Sequence, residues 1–349
     1  FQATIVPELW ILTRRARSKI FSQKSVPDIV KATLDGLNVE YKISGTYEPR
    51  NYCTQYRETD SQFAARLLEE EGISYCFKHT EVSNQLMISD DLSSNDSVAS
   101  EVPYNPHAHI ALRDNTIWDL SVHKALQSGK YTAWDHHFEL PHKHLEASRI
   151  TATKVADNDK LEIYDYPGGY AKRFDGVQSG GGDQAAEVNK IVSDNQRTVA
   201  IRLQELDAQY ETIHAQTNVP NLIPGTVFTL TDHPNEALNC KYLVTSATYK
   251  VEAEDFISGG GGGQERPFIG EFTAIAAKVP LRPARLTPRP IVHGMQTATV
   301  VGPTGEEIFV DKYGRVKCQF PWDRVGEDNA DSSCCIRVAK GWAGKIWGS

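Results

Sequence analysis

Residues 57–79, RETDSQFAARLLEEEGISYCFKH, hold a helix start, a helix stop and a strand in one short stretch, with three consecutive glutamates just before the stop. Thr59 followed by Gln62 has the spacing of a capping box, in which each side chain satisfies a backbone N–H orphaned at a helix start; Asp60 is a competing cap. Phe63, Ala64, Leu67 and Leu68 recur at helical spacing and form one apolar stripe, while Arg66, Glu69 and Glu70 fall largely off it. Gly72 stands where a left-handed residue ends a helix. After it, Ile73, Tyr75 and Phe77 alternate with Ser74, Cys76 and Lys78, which predicts a half-buried strand. On this pattern the glutamates are mostly solvated. They do not read as an acid–base pair, which needs two environments that push the pKa values apart, because adjacent helical residues point in different directions.

The same order of cap, helix, glycine and strand occurs at 25–43. Ser25, Pro27 and Asp28 open the helix, Ile29, Val30, Thr33 and Leu34 form its stripe, Gly36 stops it and LNVEYKIS follows as a strand. An internal duplication is one account of the repeat, although the two stretches share little sequence. Short strands with turn residues fill 80–178, including NQLMISDD, TIWDLSVH, RITATKV and LEIYDYPGGY. From Asp183 to about Tyr210 the pattern turns helical, through Ala186, Val188, Ile191, Val199 and Leu203. Glycine runs at 180–182 and 259–263 read as mobile loops; the first lacks the Lys-Ser/Thr of a phosphate-binding loop. Strands resume with GTVFTLTDH, KYLVTSATYKVEA and EFTAIAA.

The texture then changes. KVPLRPARLTPRP, residues 278–290, carries four prolines and four cations with no acid, an extended connector between two folded units. From Ile291 the strand-like runs TATVV, EEIFV, RVKCQF and SCCIRVA are separated by GPTG, DKYG and DRVGEDNADS, with Gly314 fitting the left-handed position of a hairpin loop. Short strands at this spacing suit an OB-fold barrel. Seven Lys/Arg against seven Asp/Glu from Thr297 to Ser349 leave it no electrostatic funnel for a nucleic-acid strand.

A net charge of -8 over 349 residues argues against a nucleic-acid binder in general. No apolar run approaches the roughly 18 residues of a membrane span, and no signal-peptide pattern opens the chain. The six cysteines form no CxxC pair and read as thiols. Seven of the eleven histidines lie between His107 and His144, which makes His136, His137, His142 and His144, beside Asp135, candidate ligands of a zinc or nickel site. The simpler reading is a surface loop of solvated histidines around Pro141. HExxH, GxSxG and a GxGxxG before a helix are absent, and no nucleophile stands with its base. Neither an enzyme nor a cofactor is expected; a metal-dependent hydrolase using the histidine loop is the alternative.

Taken together, VPELWILTRRARSKIFSQKSVPDIV, CTQYRETDSQFAARLLEEEGISYCFKH, EIYDYPGGY, DKYGRVKCQFPWDR and SSCCIRVAKGWAG closely resemble the VgrG family, the spike proteins of bacterial type VI secretion systems. The resemblance implies a mainly β fold with attached helices (α+β). Residues 1–278 are then a phage-hub-like region with two β-barrels, the first truncated at its start, 279–290 a proline-rich linker, and 291–349 a partial OB-fold at the base of the spike. The motif positions it marks are Arg57, Asp60, Phe63, Arg66, Leu67 and Gly72, then Tyr166 and Pro167, then Gly314, Arg315, Val316, Trp322 and Asp323, then Trp342 and Gly344. Val316 and Phe320 would face a core, and Trp322 and Trp342 would be packing anchors. Cys335 departs from the family, which usually has tryptophan there.

The implied partners are two further copies of the chain in a homotrimer, the Hcp tube, a PAAR-type tip protein carried by a needle beyond Ser349, effector proteins, and a target membrane during puncture, with no nucleic acid. Assembly would be cytoplasmic, followed by secretion through the apparatus without a signal peptide. Both ends are expected to have been cut. A prophage tail or baseplate hub shares the fold and differs only in partners.

Overall fold

The computed structural model describes residues 2–80, 83–95, 97–107, 115–251, 268–306 and 309–339. Trp342, Gly344 and the second glycine run lie outside the described residues.

A 3-10 turn over Glu8–Arg14 leads into β1 (Ala16–Lys24), α1 (Val26–Thr33), β2 (Val39–Lys42), β3 (Arg50–Thr59), α2 (Asp60–Glu71), β4 (Ser74–His79) and β5 (Asn84–Ser89). Both helices start as their caps dictate. The Ser25 hydroxyl accepts from the Asp28 N–H, and at α2 the box is reciprocal: Thr59 Oγ1 accepts the Gln62 N–H at 3.1 Å while Gln62 Oε1 accepts the Thr59 N–H at 3.0 Å. Gly72 ends α2 at φ 68°. Strands β1 and β3 pair antiparallel, and β2 and β4 flank β5. Phe21, Ile29, Phe63, Leu67, Ile73 and Ile88 form the core between them.

The phase of β4 differs from expectation: Tyr75 is 45% exposed and Cys76 is buried at 7%. The strand is wedged between two cores. Phe77 leans on the first, while Cys76 joins a second cluster with Met87, Val227 and Leu243. Gly225 makes room for it; a Cβ there would lie 2.5 Å from Cys76 Sγ.

Next come β6 (Ser97–Pro103), β7 (Ile117–Lys124), β8 (Lys130–Ala133), β9 (Ala147–Ile150), β10 (Glu162–Asp165), α3 (Ala185–Val188), α4 (Ile191–Asp207), β11 (Glu211–Thr217), β12 (Val227–Thr231), β13 (Lys241–Lys250) and β14 (Ile269–Ala276). Six of these strands form one sheet in the order β6-β12-β13-β14-β11-β7. Tyr104, just past β6, bridges Ile117 at the start of β7, so the sheet's two edges meet at one end. Val102, Ile117, Ile213, Phe228, Val244 and Phe272, one from each strand, fill its interior. The small sheet β10-β8-β9 packs on α4 through Tyr131, Tyr170, Ile191 and Val199. The run RITATKV is a strand only to Ile150. Beyond it the Thr151 hydroxyl binds Asp207 Oδ1 at 2.6 Å and accepts the Thr153 N–H at 2.9 Å, local bonds that replace a ladder.

Residues 278–290 are extended, as the prolines require, yet they do not hang free: they run as a strap over α2 and α4, bonded to both. Beyond them β15 (Thr299–Val301), β16 (Arg315–Gln319) and β17 (Ile336–Arg337) make an antiparallel sheet, β15-β16-β17. Gly314 sits at φ 71° in the loop before β16. The described part of EEIFV, Glu306 and Phe309–Val310, is not strand. On β16 the buried face is not the apolar one: Arg315 and Lys317 are buried at 4% and 3%, whereas Val316, like Phe320 after it, is only half-buried. Arg315 reaches a carboxylate of the preceding region and Lys317 Nζ donates to the Ser333 carbonyl at 2.8 Å, so polar partners draw this face inward.

Candidate functional site: two buried ion-pair junctions

The C-terminal turn of α2 meets β3, α4 and the strap at the three glutamates. Glu70 and Glu71 are buried at 7% and 5%, which corrects the solvated face read from sequence. The stripe of Phe63, Ala64, Leu67 and Leu68 is buried as its spacing requires, but the polar side of α2 faces arginines rather than water. Arg50 on β3 donates one nitrogen to Glu70 Oε2 at 2.7 Å and the other to Glu71. Arg197 on α4 donates to the Glu71 carboxylate and, at 3.2 Å, to its carbonyl. Arg173 lies 3.8 Å from Glu71 and binds Asp194 at 2.7 Å. Arg66, also off the stripe and also buried, holds Glu58 with two bonds of 2.8 and 2.7 Å.

No basic residue occupies the last turn of α2 itself. Arg202 of α4 takes that place, donating to the Glu69 and Glu70 carbonyls at 2.6 and 3.3 Å, where a helix leaves acceptors unsatisfied and favours positive charge. The strap closes the junction from above. Glu69 accepts from the Leu286 and Thr287 N–H groups at 3.0 and 2.9 Å and from the Thr287 hydroxyl at 2.7 Å. Arg289 reaches Glu70 at 2.9 Å, and Arg282 donates to the carbonyls of Gly72 and Asp90 at 2.9 and 2.8 Å.

Burial alone would raise the Glu70 pKa, but Arg50, Arg289 and Arg173 outweigh it and hold the carboxyl down at about 2. Glu71 is buried too, and Arg173, Arg50 and Arg197 hold it lower still. Desolvation, reinforced by the charge of Arg285, brings Arg202 down to about 10. Glu70, Glu71 and Arg202 are therefore ionised at neutral pH. A junction of this kind rejects alternative packings, because displacing one member leaves another charge buried without a partner.

The second junction joins the last segment to the body. Arg315 gives its two terminal nitrogens to Asp175 at 2.8 and 2.9 Å and its Nε to Asp311 at 2.5 Å. Asp311 in turn accepts the Tyr313 and Arg315 N–H groups, which shapes the loop before β16. The Arg315 and Arg337 guanidinium groups lie 5.0 and 4.4 Å from the Phe138 ring centroid. Nearby, Trp322 meets Tyr56 edge-on at 5.3 Å and donates to Gln296 at 3.0 Å.

The motif positions therefore divide. Phe63 and Leu67 are core at 0% exposure; Asp60, buried at 1%, accepts from Gln55 at 2.7 Å and takes Arg15 and Arg17. Arg57 is exposed in the left-handed region at φ 50°. Tyr166 and Pro167 are exposed and joined by a cis peptide bond. Asp323 is buried and accepts the Val325 N–H at 3.2 Å. The histidine loop does not converge. His136, His142 and His144 are exposed, His144 lies 3.3 Å from Glu146, and His137 is buried with its Nδ1 accepting the Glu139 N–H. Among the described residues no three His, Cys, Asp or Glu are placed to hold a metal ion. Sequence reading missed Arg50, Arg173, Asp175, Arg197 and Arg202, which come from three separate stretches; the acid-free run of cations in the strap, facing a triple glutamate, was the available signal.

Residues 1–255 match the family described as phage tail baseplate hub. Over its whole length the chain is 39% identical to the type VI secretion system spike protein VgrG1b of Pseudomonas aeruginosa, covering 45% of that protein. It is 32% identical, again over its whole length, to the actin cross-linking toxin VgrG1 of Vibrio cholerae, covering 30% of it. The chain spans about half the length of several curated relatives it matches, from 45% to 52% for three of them. In structure it overlays the E. coli c3393 protein, a component of the type VI secretion system with structural similarity to the bacteriophage T4 tail proteins gp27 and gp5, at TM-score 0.57 and 19% identity, over 90% of this chain and 65% of that one. That likeness shows the fold.

Proposed function

The chain belongs to the phage tail baseplate hub family, and from that premise we propose that it is the hub portion of a type VI secretion spike whose work is mechanical. The reading is carried by the family match over residues 1–255, supported by spike-protein relatives that align with the entire chain. Three copies would assemble into a ring that stacks on an Hcp tube, with the region after residue 290 forming the OB-like base of a needle that bears a PAAR-type tip. Effectors would travel with it into a target cell. The two junctions suit that task, since the first ties the strap to two helices and a strand and the second ties the last sheet to the body, so that thrust on one unit passes to the next without a slack linker. No helix among the described residues is long and apolar enough to cross a membrane.

The measurement that tests this is solution mass by light scattering, combined with co-fractionation on purified tube protein. A trimer that binds the tube is expected, held by interfaces of the size of obligate oligomers, above about 2,000 Å². A monomer at micromolar concentration, with no affinity for the tube, would overturn it. A trimer that instead binds a phage tail tube would move the chain to the prophage hub reading.

A further inference from the structure

Strand β1 carries Arg15 just before it and Arg17 and Lys19 within it, a cation at every second position and so on one face. Across from Ser18 the register of β3 slips: Arg17 pairs with Glu58 and Lys19 with Gln55, so Tyr56 and Arg57 oppose one residue. At this bulge Arg57 adopts φ 50° and its N–H donates to Ser18 Oγ at 3.2 Å. Bulges of this type re-aim side chains. Here Arg57 borders the same cleft as the three β1 cations, a space of about 900 Å³ that Trp322 and Arg324 also line.

Among the described residues no carboxylate lines this cleft. Asp60, beneath it, is shared by Arg15 and, at 3.4 Å, Arg17; among the described residues Lys19, Arg57 and Arg324 have no acidic partner. Five cations gathered in a chain of net charge -8 repel one another, a cost that a bound anion would offset. Among the described residues no strand but β3 is hydrogen-bonded to β1, so none of them occupies its other edge.

The geometry points to a docking groove for an extended acidic peptide of a partner protein, added along β1 with a carboxylate at every second position to meet Arg15, Arg17 and Lys19, and with Arg57 and Arg324 closing on its flank. Strand addition supplies main-chain bonds, and the spacing of about 6.6 to 6.8 Å between alternate residues supplies the charge register. The overall acidity of the chain disfavours a nucleic acid. The inference does not rest on the assembly reading and fails or stands separately from it.

A fluorescein-labelled nonapeptide of alternating glutamate and threonine, titrated into the protein and followed by anisotropy, tests this. Binding is expected that weakens with salt, falls at least tenfold in Lys19→Glu/Arg57→Glu, falls in Arg324→Glu, and is unchanged in Lys154→Glu/Lys160→Glu on the loop after β9. Thermal melts of each variant establish that the fold is retained, and all these positions except half-buried Lys19 are exposed or in loops. A peptide of the same composition with its glutamates grouped should bind more weakly. Three results would overturn the proposal: equal binding to wild type and the double variant, equal binding of single-stranded DNA of matched charge, or a change in solution mass in the double variant, which would assign the groove to a second copy of the chain.

Discussion

Arg315 grips Asp175 across 140 positions of chain, both terminal guanidinium nitrogens meeting both carboxylate oxygens at 2.8 and 2.9 Å. Both side chains are nearly dry. Removing one partner strands the other, so Arg315→Ala should cost about 3–5 kcal/mol in docking of the last sheet, and Arg315→Lys should recover little because an ammonium cannot reproduce the fork. Hydrogen exchange reads this directly: amides of β16 should lose protection while those of β13 keep theirs. Uniform loss across both strands would mean that the junction is not local.

Gly72 and Gly36 provide a matched pair. Both have positive φ, 68° and 90°, but a Cβ at Gly72 would stand 2.6 Å from Ile201 Cγ2, whereas one at Gly36 meets nothing within 4 Å. Gly36→Ala then carries only the left-handed strain of about 1–2 kcal/mol. Gly72→Ala adds overpacking against α4 of about 1–3 kcal/mol. Urea unfolding of the two variants should rank them in that order, and equal midpoints would show that α4 gives way.

Much of the first unit was legible because its signals are local. Thr59 and Gln62, Gly72, and the stripe of Phe63, Ala64, Leu67 and Leu68 act within a few residues of one another, and each does in the structure what its spacing requires. The environment of Glu69, Glu70 and Glu71 was not legible. Whether a polar helix face meets water or arginine depends on Arg197 and Arg289, more than a hundred positions away, and no helical period encodes that distance. The same holds for β4, where the inward residue is Cys76 because Gly225 leaves space for its sulfur. In the strap the prolines set the extended backbone that composition predicts, while its bonds to Glu69 and Glu70 reach residues far back in the chain and leave no local sign.

Thiol chemistry follows from burial. Desolvation pushes Cys76 and Cys334 up to about 11 and raises Cys53 and Cys318 as well, while Cys240 is half-exposed after β12. With a neutral disulfide reagent at pH 7.5, Cys240 should react first, and Cys53, Cys76 and Cys318 should stay protected until the chain unfolds. The Cys240→Ser variant should lose the fast phase; its persistence would place the reactive thiol elsewhere.

The glutamate junction also fixes an acid limit. The Glu70 carboxyl stands at about 2 in the folded chain against an ordinary 4.5, because three arginines outweigh its burial. A depressed folded value means that the charged form is favoured by folding, so this stabilisation is fully present above about pH 4.5 and drains away as pH falls toward 2. The difference corresponds to about 3 kcal/mol, and Glu71 loses its share in the same direction at more acidic pH. Urea midpoints measured from pH 5.5 down to 2.5 should therefore fall more steeply for the native chain than for Glu70→Gln, which starts lower at neutral pH because Arg50 and Arg289 lose their counter-charge. Were the two curves to run parallel, Glu70 would carry the same pKa folded and unfolded, and the junction would be held by its hydrogen bonds to the strap rather than by charge.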